Sequence, residues 1–209
     1  MKKCIWAIAA VIMVVGTITI VACTKDNPTN EMLVTSPSQH KNTKMDGEII
    51  IAEWSDNGIS YRFDKHHVLS NIQTQFKDSL NVNCVMEDIQ ITIKDVDNEK
   101  VPIIAISYFD FDNEVAVTMF GILTQYAEKS PSVMLALKCR EISARCIGVN
   151  CKEGCNPIVG KTMSGGTLVL DCSNCTKASN PNKSYKCDYN VTQRLVSRLV
   201  FDSFLMDLF

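Results

Sequence analysis

The most regular pattern along the chain is an alternation of apolar and polar residues at positions 89–94. Ile89, Ile91 and Ile93 alternate with polar side chains. Successive side chains of a β-strand point to opposite faces, so a period of two places the three isoleucines on one face. The segment therefore predicts a strand with one buried face and one face in water.

A helical period precedes this strand. Val68, Ile72, Phe76 and Leu80 recur every four residues, and Asp64 stands where an N-cap residue accepts a hydrogen bond from the first turn. The apolar residues form one stripe between polar faces. This stripe predicts an amphipathic helix that packs on a sheet.

Several β-rich runs surround these two elements. Residues 48–54 and 59–63 flank an Asn57-Gly58 pair, which favours a type I′ hairpin. Further β-rich runs lie at residues 103–109, 115–122 and 133–139, the last of which could also be helical. The order of elements predicts an α+β domain over residues 46–144, an antiparallel sheet meander with one packed amphipathic helix.

The remaining residues, 145–209, are expected to form a small C-terminal cysteine-rich module followed by an apolar helix. Val191, Leu195, Leu199 and Phe204 would lie near one face of that helix. Such a face in water would be a large apolar patch, so we expect it to pack on the domain.

The N-terminal residues have the layout of a secretory signal. Lys2 and Lys3 precede an apolar run over residues 5–22, and the chain turns polar after Cys23. The residues Ile20-Val21-Ala22-Cys23 resemble a bacterial lipobox. That resemblance implies that residues 1–22 are removed and that Cys23 carries lipid, with acyl chains such as palmitate. The alternative is a plain transmembrane anchor, because about 18 apolar residues can just span a bilayer.

The residues after Cys23 carry a second resemblance. Thr24-Lys25-Asp26-Asn27 is similar to the export signal of surface lipoproteins of Bacteroidota. The resemblance covers about the first 27 residues. It implies a location, the outer membrane or the cell surface, without implying an activity. Residues 23–45 are rich in Asn, Thr, Ser, Pro and Lys and are expected to be a disordered tether.

The charge balance argues against a nucleic-acid partner. Without Lys2 and Lys3 the chain has 19 basic and 23 acidic side chains, and it contains no basic block. The expected partners are the membrane, through the lipid anchor, and an unidentified envelope protein, surface protein or glycan.

Six of the ten cysteines fall within 42 residues near the C-terminus: Cys146, Cys151, Cys155, Cys172, Cys175 and Cys187. An exported chain meets an oxidising compartment, and this segment has few large apolar residues, so we expect a disulfide framework. Six cysteines allow 15 connectivities, and the sequence does not choose among them. Cys84 and Cys139, in the core domain, could form a further pair.

Two other uses of these cysteines stay open. Cys151, Cys155, Cys172 and Cys175 have spacings close to those of a zinc ribbon. Cys172 and Cys175 alone could form a redox motif, although no βαβ setting surrounds them. We expect no cofactor, with zinc as the alternative.

No catalytic constellation is predicted. His66 and His67 are neighbours on the predicted helix, so they point about 100° apart and are expected to be solvated. Asp110, Asp112 and Glu114 alternate at an expected hairpin end, where a calcium loop would need a glycine in the place of Val115.

The predicted function is that of a membrane-anchored lipoprotein that acts as a non-catalytic binding or structural accessory protein. One alternative is a hydrolase in which Glu87 or Asp88 meets Asp110 or Asp112 for glycoside cleavage. The other alternative is a zinc-ribbon protein.

Overall fold

The structure, a computed structural model, describes residues 47–127, 132–151, 154–162 and 166–208. The predicted signal, the lipidated Cys23 and the tether lie outside these residues. The strands are β1 (Glu48–Ser55), β2 (Gly58–Tyr61), β3 (Cys84–Val96), β4 (Glu99–Asp110), β5 (Val115–Ile122), β6 (Thr124–Ala127), β7 (Val133–Lys138), β8 (Ala144–Val149), β9 (Pro157–Lys161), β10 (Leu168–Cys172) and β11 (Lys186–Val191). The helices are α1 (Lys65–Leu80) and α2 (Arg194–Leu208).

The strands form three antiparallel sheets. A four-stranded sheet has the order β2-β1-β7-β6, a five-stranded sheet has the order β11-β8-β5-β4-β3, and β9 pairs with β10 alone. Ser55 pairs with Gly58 across the first turn, which confirms the predicted hairpin. The turn is not of type I′, because its central residues Asp56 and Asn57 lack the positive φ that this type requires and only Gly58 has one. The segment that could have been a strand or a helix is the strand β7.

Helix α1 follows its sequence prediction closely. The Asp64 side chain accepts a hydrogen bond of 2.9 Å from the His67 N–H, so it caps the first turn. Val68, Ile72 and Phe76 are buried, as the four-residue period predicts. The helix ends at a left-handed Asn81 with φ +53°.

The face predicted for β3 is also correct, since Ile89 and Ile91 are buried. The outer edge of β3 is covered by two side chains from the preceding elements. The Ile91 N–H donates to the Tyr61 hydroxyl at 3.0 Å, and the Met86 N–H donates to Gln73 Oε1 at 3.1 Å. These bonds satisfy backbone donors that an edge strand otherwise leaves open.

Strand β4 of the five-stranded sheet is buried on both faces over residues 101–104. On β4, Ile104 and Ile106 point into a main core that both helices and the four-stranded sheet share. Val101 and Ile103, on the opposite face, belong to a second core beneath the cysteine-rich module. Burial on both faces explains why β4 reads as a continuous apolar run in the sequence.

Helix α2 packs in the main core, as expected, but its buried face agrees only in part with the predicted one. Val191 belongs to β11 and is exposed, and Leu195 is half-exposed. The helix begins only at Arg194, so its buried side contains Val196, Val200 and Phe204. Leu199 and Phe204 of the predicted stripe are therefore buried as expected, whereas Val191 and Leu195 are not.

The fold class is α+β with antiparallel sheets and a cysteine-rich module, as predicted. The main core contains both predicted helices, since the C-terminal helix packs on the domain as expected. Strand β8 begins at Ala144 and pairs with both β5 and β11, so residues on both sides of position 144 share one sheet. The described residues form one compact unit.

A search of the described residues for membrane-spanning helices finds none that is long and apolar enough.

Candidate functional site

All six cysteines of the C-terminal module are joined in three disulfides. The pairs are Cys146 with Cys172, Cys151 with Cys175, and Cys155 with Cys187. Their Cα atoms lie 5.7, 5.8 and 5.9 Å apart, which is the usual separation for a disulfide. The predicted disulfide framework is therefore confirmed, and the structure supplies the connectivity that the sequence left open.

The three loops that these disulfides close overlap along the chain. Cys146 on β8 holds β10 against the five-stranded sheet, and Cys187 on β11 holds the start of β9. In the chain-entropy description, closing loops of 24 to 32 residues stabilises the fold by about 3.5 kcal/mol per disulfide. A module with few large apolar side chains is thus held mainly by covalent links.

The zinc-ribbon alternative needs four sulfurs that the fold places in three different disulfides. Cys151 and Cys175 bond to each other, whereas Cys155 bonds to Cys187 and Cys172 bonds to Cys146. The sulfurs of Cys151, Cys155 and Cys187 do lie within 4.8 Å of one another. Metal ligation requires thiolates, so this cluster could serve as ligands only after reduction.

The redox motif is not formed as a pair, because Cys172 and Cys175 bond to different partners. Cys84 is a buried free thiol and is not joined to Cys139. Burial, with a smaller contribution from the nearby Asp110 carboxylate, raises the pKa of Cys84 to about 11. A thiol with so high a pKa is a poor nucleophile at neutral pH.

The carboxylates of the hydrolase alternative lie at different places on the sheet. Asp88 opposes Ser107 on β4, whereas Asp110 opposes Cys84. Ser107 and Asp110 are three residues apart, which is about 10 Å along a strand and places them on opposite faces. Glu87 is exposed at a bulge in β3.

Asp110 and Asp112 have structural roles at the β4–β5 hairpin end. Asp110 Oδ1 accepts from the N–H groups of Asp112 and Asn113 at 3.0 and 3.2 Å, and its Oδ2 accepts from Asn113 Nδ2 at 2.8 Å. Asp112 Oδ2 accepts from the Asn83 N–H at 3.3 Å. The alternating acids therefore build a turn, as expected from the sequence.

The two adjacent histidines also have separate environments. His66 is exposed, whereas His67 Nδ1 lies 2.7 Å from Asp207 Oδ1. Asp207 Oδ2 accepts from the Asp64 N–H at 2.9 Å. The Asp207 side chain, only 5% exposed, thus joins the end of α2 to the start of α1.

A cleft of about 760 Å³ lies beside this hairpin end. Three separate segments line it: the hairpin end from Phe109 to Ala116, the end of β8 from Gly148 to Cys151, and a loop from Ser179 to Ser184. The volume is within the range of sites for small molecules. None of Glu87, Asp88, Asp110 and Asp112 lines this cleft.

The aromatic side of the cleft is held in place by the backbone. Phe111 is 51% exposed, and its N–H donates to the Asn83 carbonyl at 2.9 Å. The Phe109 and Phe111 rings meet edge to face, with centroids 5.2 Å apart. An exposed phenyl ring is therefore presented in a fixed position.

The loop side of the cleft is held by Asn150. Its Nδ2 donates to the carbonyls of Asn180 and Lys183, each at 2.9 Å, and to that of Ser184 at 3.3 Å. Its Oδ1 accepts from the Asn180 N–H at 2.7 Å. Asn150 adopts φ +49°, a conformation that Asn tolerates better than most residues. The adjacent Cys151–Cys175 disulfide ties down the segment just before this loop.

Gly148 provides the room for this arrangement. A Cβ atom at this position would lie 3.1 Å from the Cys155 sulfur and 3.3 Å from the Cys151 Cβ atom. Two disulfides can therefore pack against the end of β8, directly behind the cleft.

Several polar groups of the cleft have no hydrogen-bond or ion-pair partner among the described residues. They are the Glu114 carboxylate, the Lys183 ammonium, the Ser179 and Ser184 hydroxyls and the Asn180 amide nitrogen. The side chains of Asn150 and Asp110, by contrast, make their hydrogen bonds within the fold. The cleft thus contains polar groups that hold its walls and other polar groups that are open to solvent.

Sequence reasoning did not find this cleft. Its three lining segments are far apart along the chain, and their pairing depends on the disulfide connectivity. The alternation of Phe109 and Phe111 with acids was the one local signal, and it indicated only a hairpin end.

Comparison of the chain with protein-family models, with curated proteins and with solved structures finds no match.

Proposed function

We propose that this protein is a lipid-anchored lipoprotein of the outer membrane or cell surface that acts as a non-catalytic binding accessory protein. The observation that carries the proposal is the set of three overlapping disulfides in residues 146–187. Disulfide frameworks of this kind persist in oxidising compartments. The lipobox-like residues before Cys23 and the export-signal resemblance after it support the same location.

The lipid would act as the anchor and residues 23–45 as the spacer. Each buried methylene contributes about 0.8 kcal/mol, so more than one acyl chain is needed for stable anchoring. A tether of this length would hold the folded domain clear of the bilayer and leave the cleft open to ligands.

The placement of the acidic residues supports binding over carboxylate hydrolysis. A glycosidase needs two carboxyl groups on either side of one bond. Glu114 contributes a carboxylate to the cleft, while Asp88 and Asp110 belong to opposite faces of the sheet. An envelope protein, a surface protein or a glycan would be the ligand.

The anchor is tested by Cys23→Ser in intact cells, with Cys4→Ser as the matched control. We expect Cys23→Ser to abolish labelling by palmitate and to leave the signal uncleaved, because the lipoprotein peptidase acts only on the lipidated chain. Cys4 lies in the signal, so its substitution should change neither labelling nor processing. Normal processing and membrane retention of Cys23→Ser would contradict the lipoprotein proposal.

A further inference from the structure

We propose that the cleft between the β4–β5 hairpin end and the Ser179–Ser184 loop binds a short, uncharged saccharide. This inference rests on the proposed binding function and names the ligand class for it. Four features of the cleft support this ligand class: the exposed ring, the free polar groups, the charge balance and the rigidity of the walls.

The exposed ring offers a stacking surface. Burial of apolar surface is favourable, so a ligand that covers a half-exposed phenylalanine ring is stabilised by that contact. Phe111 is such a ring, because its backbone is bonded to Asn83 and its edge contacts Phe109. The face of an aromatic ring is electron-rich and attracts polarised C–H groups. One face of a sugar ring is made of such C–H groups.

The free polar groups match a ligand whose atoms both donate and accept hydrogen bonds. Glu114 only accepts, Lys183 only donates, and the two serine hydroxyls of the cleft do both. Sugar hydroxyls have the same dual capacity as serine hydroxyls. A saccharide could therefore use all of these groups at once, whereas a purely apolar ligand would leave them unpaired at a cost.

The charge balance of the cleft excludes a strongly charged ligand. Its lining includes one acidic and one basic side chain, Glu114 and Lys183. Recognition of phosphate or carboxylate groups usually needs several converging basic groups. A peptide held by an apolar anchor would need a closed apolar pocket, whereas this cleft is open and has polar groups around its aromatic side.

The walls are set before any ligand arrives. Asn150 makes four hydrogen bonds to the loop, and the Cys151–Cys175 disulfide joins the segment just before the loop to the residues just after β8. Binding to such a site costs little ordering of the protein. A small ligand with only a few hydrogen bonds can then bind with measurable affinity.

The test uses the mature protein purified from the envelope without reductant and an array of immobilised uncharged, acidic and basic oligosaccharides. Members that bind are then titrated as free sugars at millimolar concentration. We expect binding of uncharged members, with the affinity lowered about tenfold or more by Phe111→Ala and again by Glu114→Gln. Tyr189→Ala is the matched control, because Tyr189 is 43% exposed and lies outside the cleft.

Unfolding temperatures of the three variants check that the fold is intact, since all three side chains are substantially exposed. The proposal is overturned if no uncharged saccharide binds, if only charged saccharides or a parallel peptide library bind, or if Phe111→Ala and Tyr189→Ala bind alike. Lipid labelling at Cys23 is measured separately. A failure of the saccharide test beside normal labelling would therefore remove the ligand class and leave the anchor.

Discussion

Replacing Gly121 with alanine should be among the most destabilising small changes available in this chain. Gly121 lies on β5, where it pairs with Ile104 of β4. A Cβ atom built on Gly121 would stand 1.8 Å from the Glu141 carbonyl oxygen and 2.5 Å from its carbonyl carbon. Both distances are far below any van der Waals contact, so one of the two backbones must move.

Neither backbone is free to move without breaking other interactions. Strand β5 is paired with β4 on one side and β8 on the other. Glu141 is fixed by two hydrogen bonds to its carboxylate, from the Thr124 hydroxyl at 2.7 Å and from the Lys138 N–H at 2.8 Å. Overpacking typically costs about 1–3 kcal/mol, and each hydrogen bond lost adds about 1 kcal/mol. We therefore expect Gly121→Ala to lower the free energy of unfolding by about 3–5 kcal/mol.

The measurement is urea and thermal unfolding of the disulfide-bonded protein beside Gly160→Ala. Gly160 lies on β9, has no atom within 4 Å of the Cβ position and does not adopt a positive φ. Its substitution should change stability little or raise it by about 0.4–1 kcal/mol, because alanine restricts the unfolded chain. Gly121→Ala should lower the melting temperature by about 10 °C. If the two variants had the same free energy of unfolding and the same melting temperature, the close approach of β5 to Glu141 would be refuted.

Two further predictions concern a buried acid and the cysteines. Burial raises the pKa of Glu141 against the opposing effects of its hydrogen bonds from Thr124 and Lys138. The native state therefore binds the proton more tightly than the unfolded chain does. Stability falls as the pH rises from the pKa of the unfolded chain through the raised pKa of the native state. Glu141→Gln can keep both hydrogen bonds, so the free energy of unfolding of this variant, measured from pH 4 to 8, should no longer show this decline. A pH profile unchanged from that of the original protein would count against a buried carboxyl group. Purified without reductant, the six cysteines of the module should gain mass on alkylation only after reduction, while Cys84 should react once the chain unfolds; mass spectrometry finding native thiols at Cys151 and Cys175 would contradict the disulfide framework.

The sequence predicted correctly the elements that bury one face and expose the other. Helix α1 and strand β3 each place apolar residues on one side, so Val68, Ile72, Ile89 and Ile91 were assigned correctly to the core. Helix α2 was found by its apolar content, but its buried face was predicted correctly only at Leu199 and Phe204. The predicted face began at Val191, which is apolar but belongs to β11, where it is exposed.

The candidate site could not be predicted from the sequence, for a different physical reason. Its walls are brought together by pairings between distant residues, in particular Cys151 with Cys175 and Asn150 with Asn180. The sequence predicted that the cysteines would be oxidised. Which cysteine meets which is decided by the packing of β9 and β10 on the sheet, and no local pattern carries that information.

The five-stranded sheet also acts as a barrier between the two kinds of sulfur in the described chain. Cys84 belongs to the main core on one face, whereas Cys146 and Cys155 belong to the second core on the other. Thiol–disulfide exchange requires a thiolate to reach a disulfide sulfur directly. Once the sheet has formed, the Cys84 thiol cannot attack the three bonds without unfolding the domain, and its high pKa leaves little thiolate to do so. The fold therefore protects the three disulfides from the Cys84 thiol, and exchange with this thiol is confined to the period before the sheet closes.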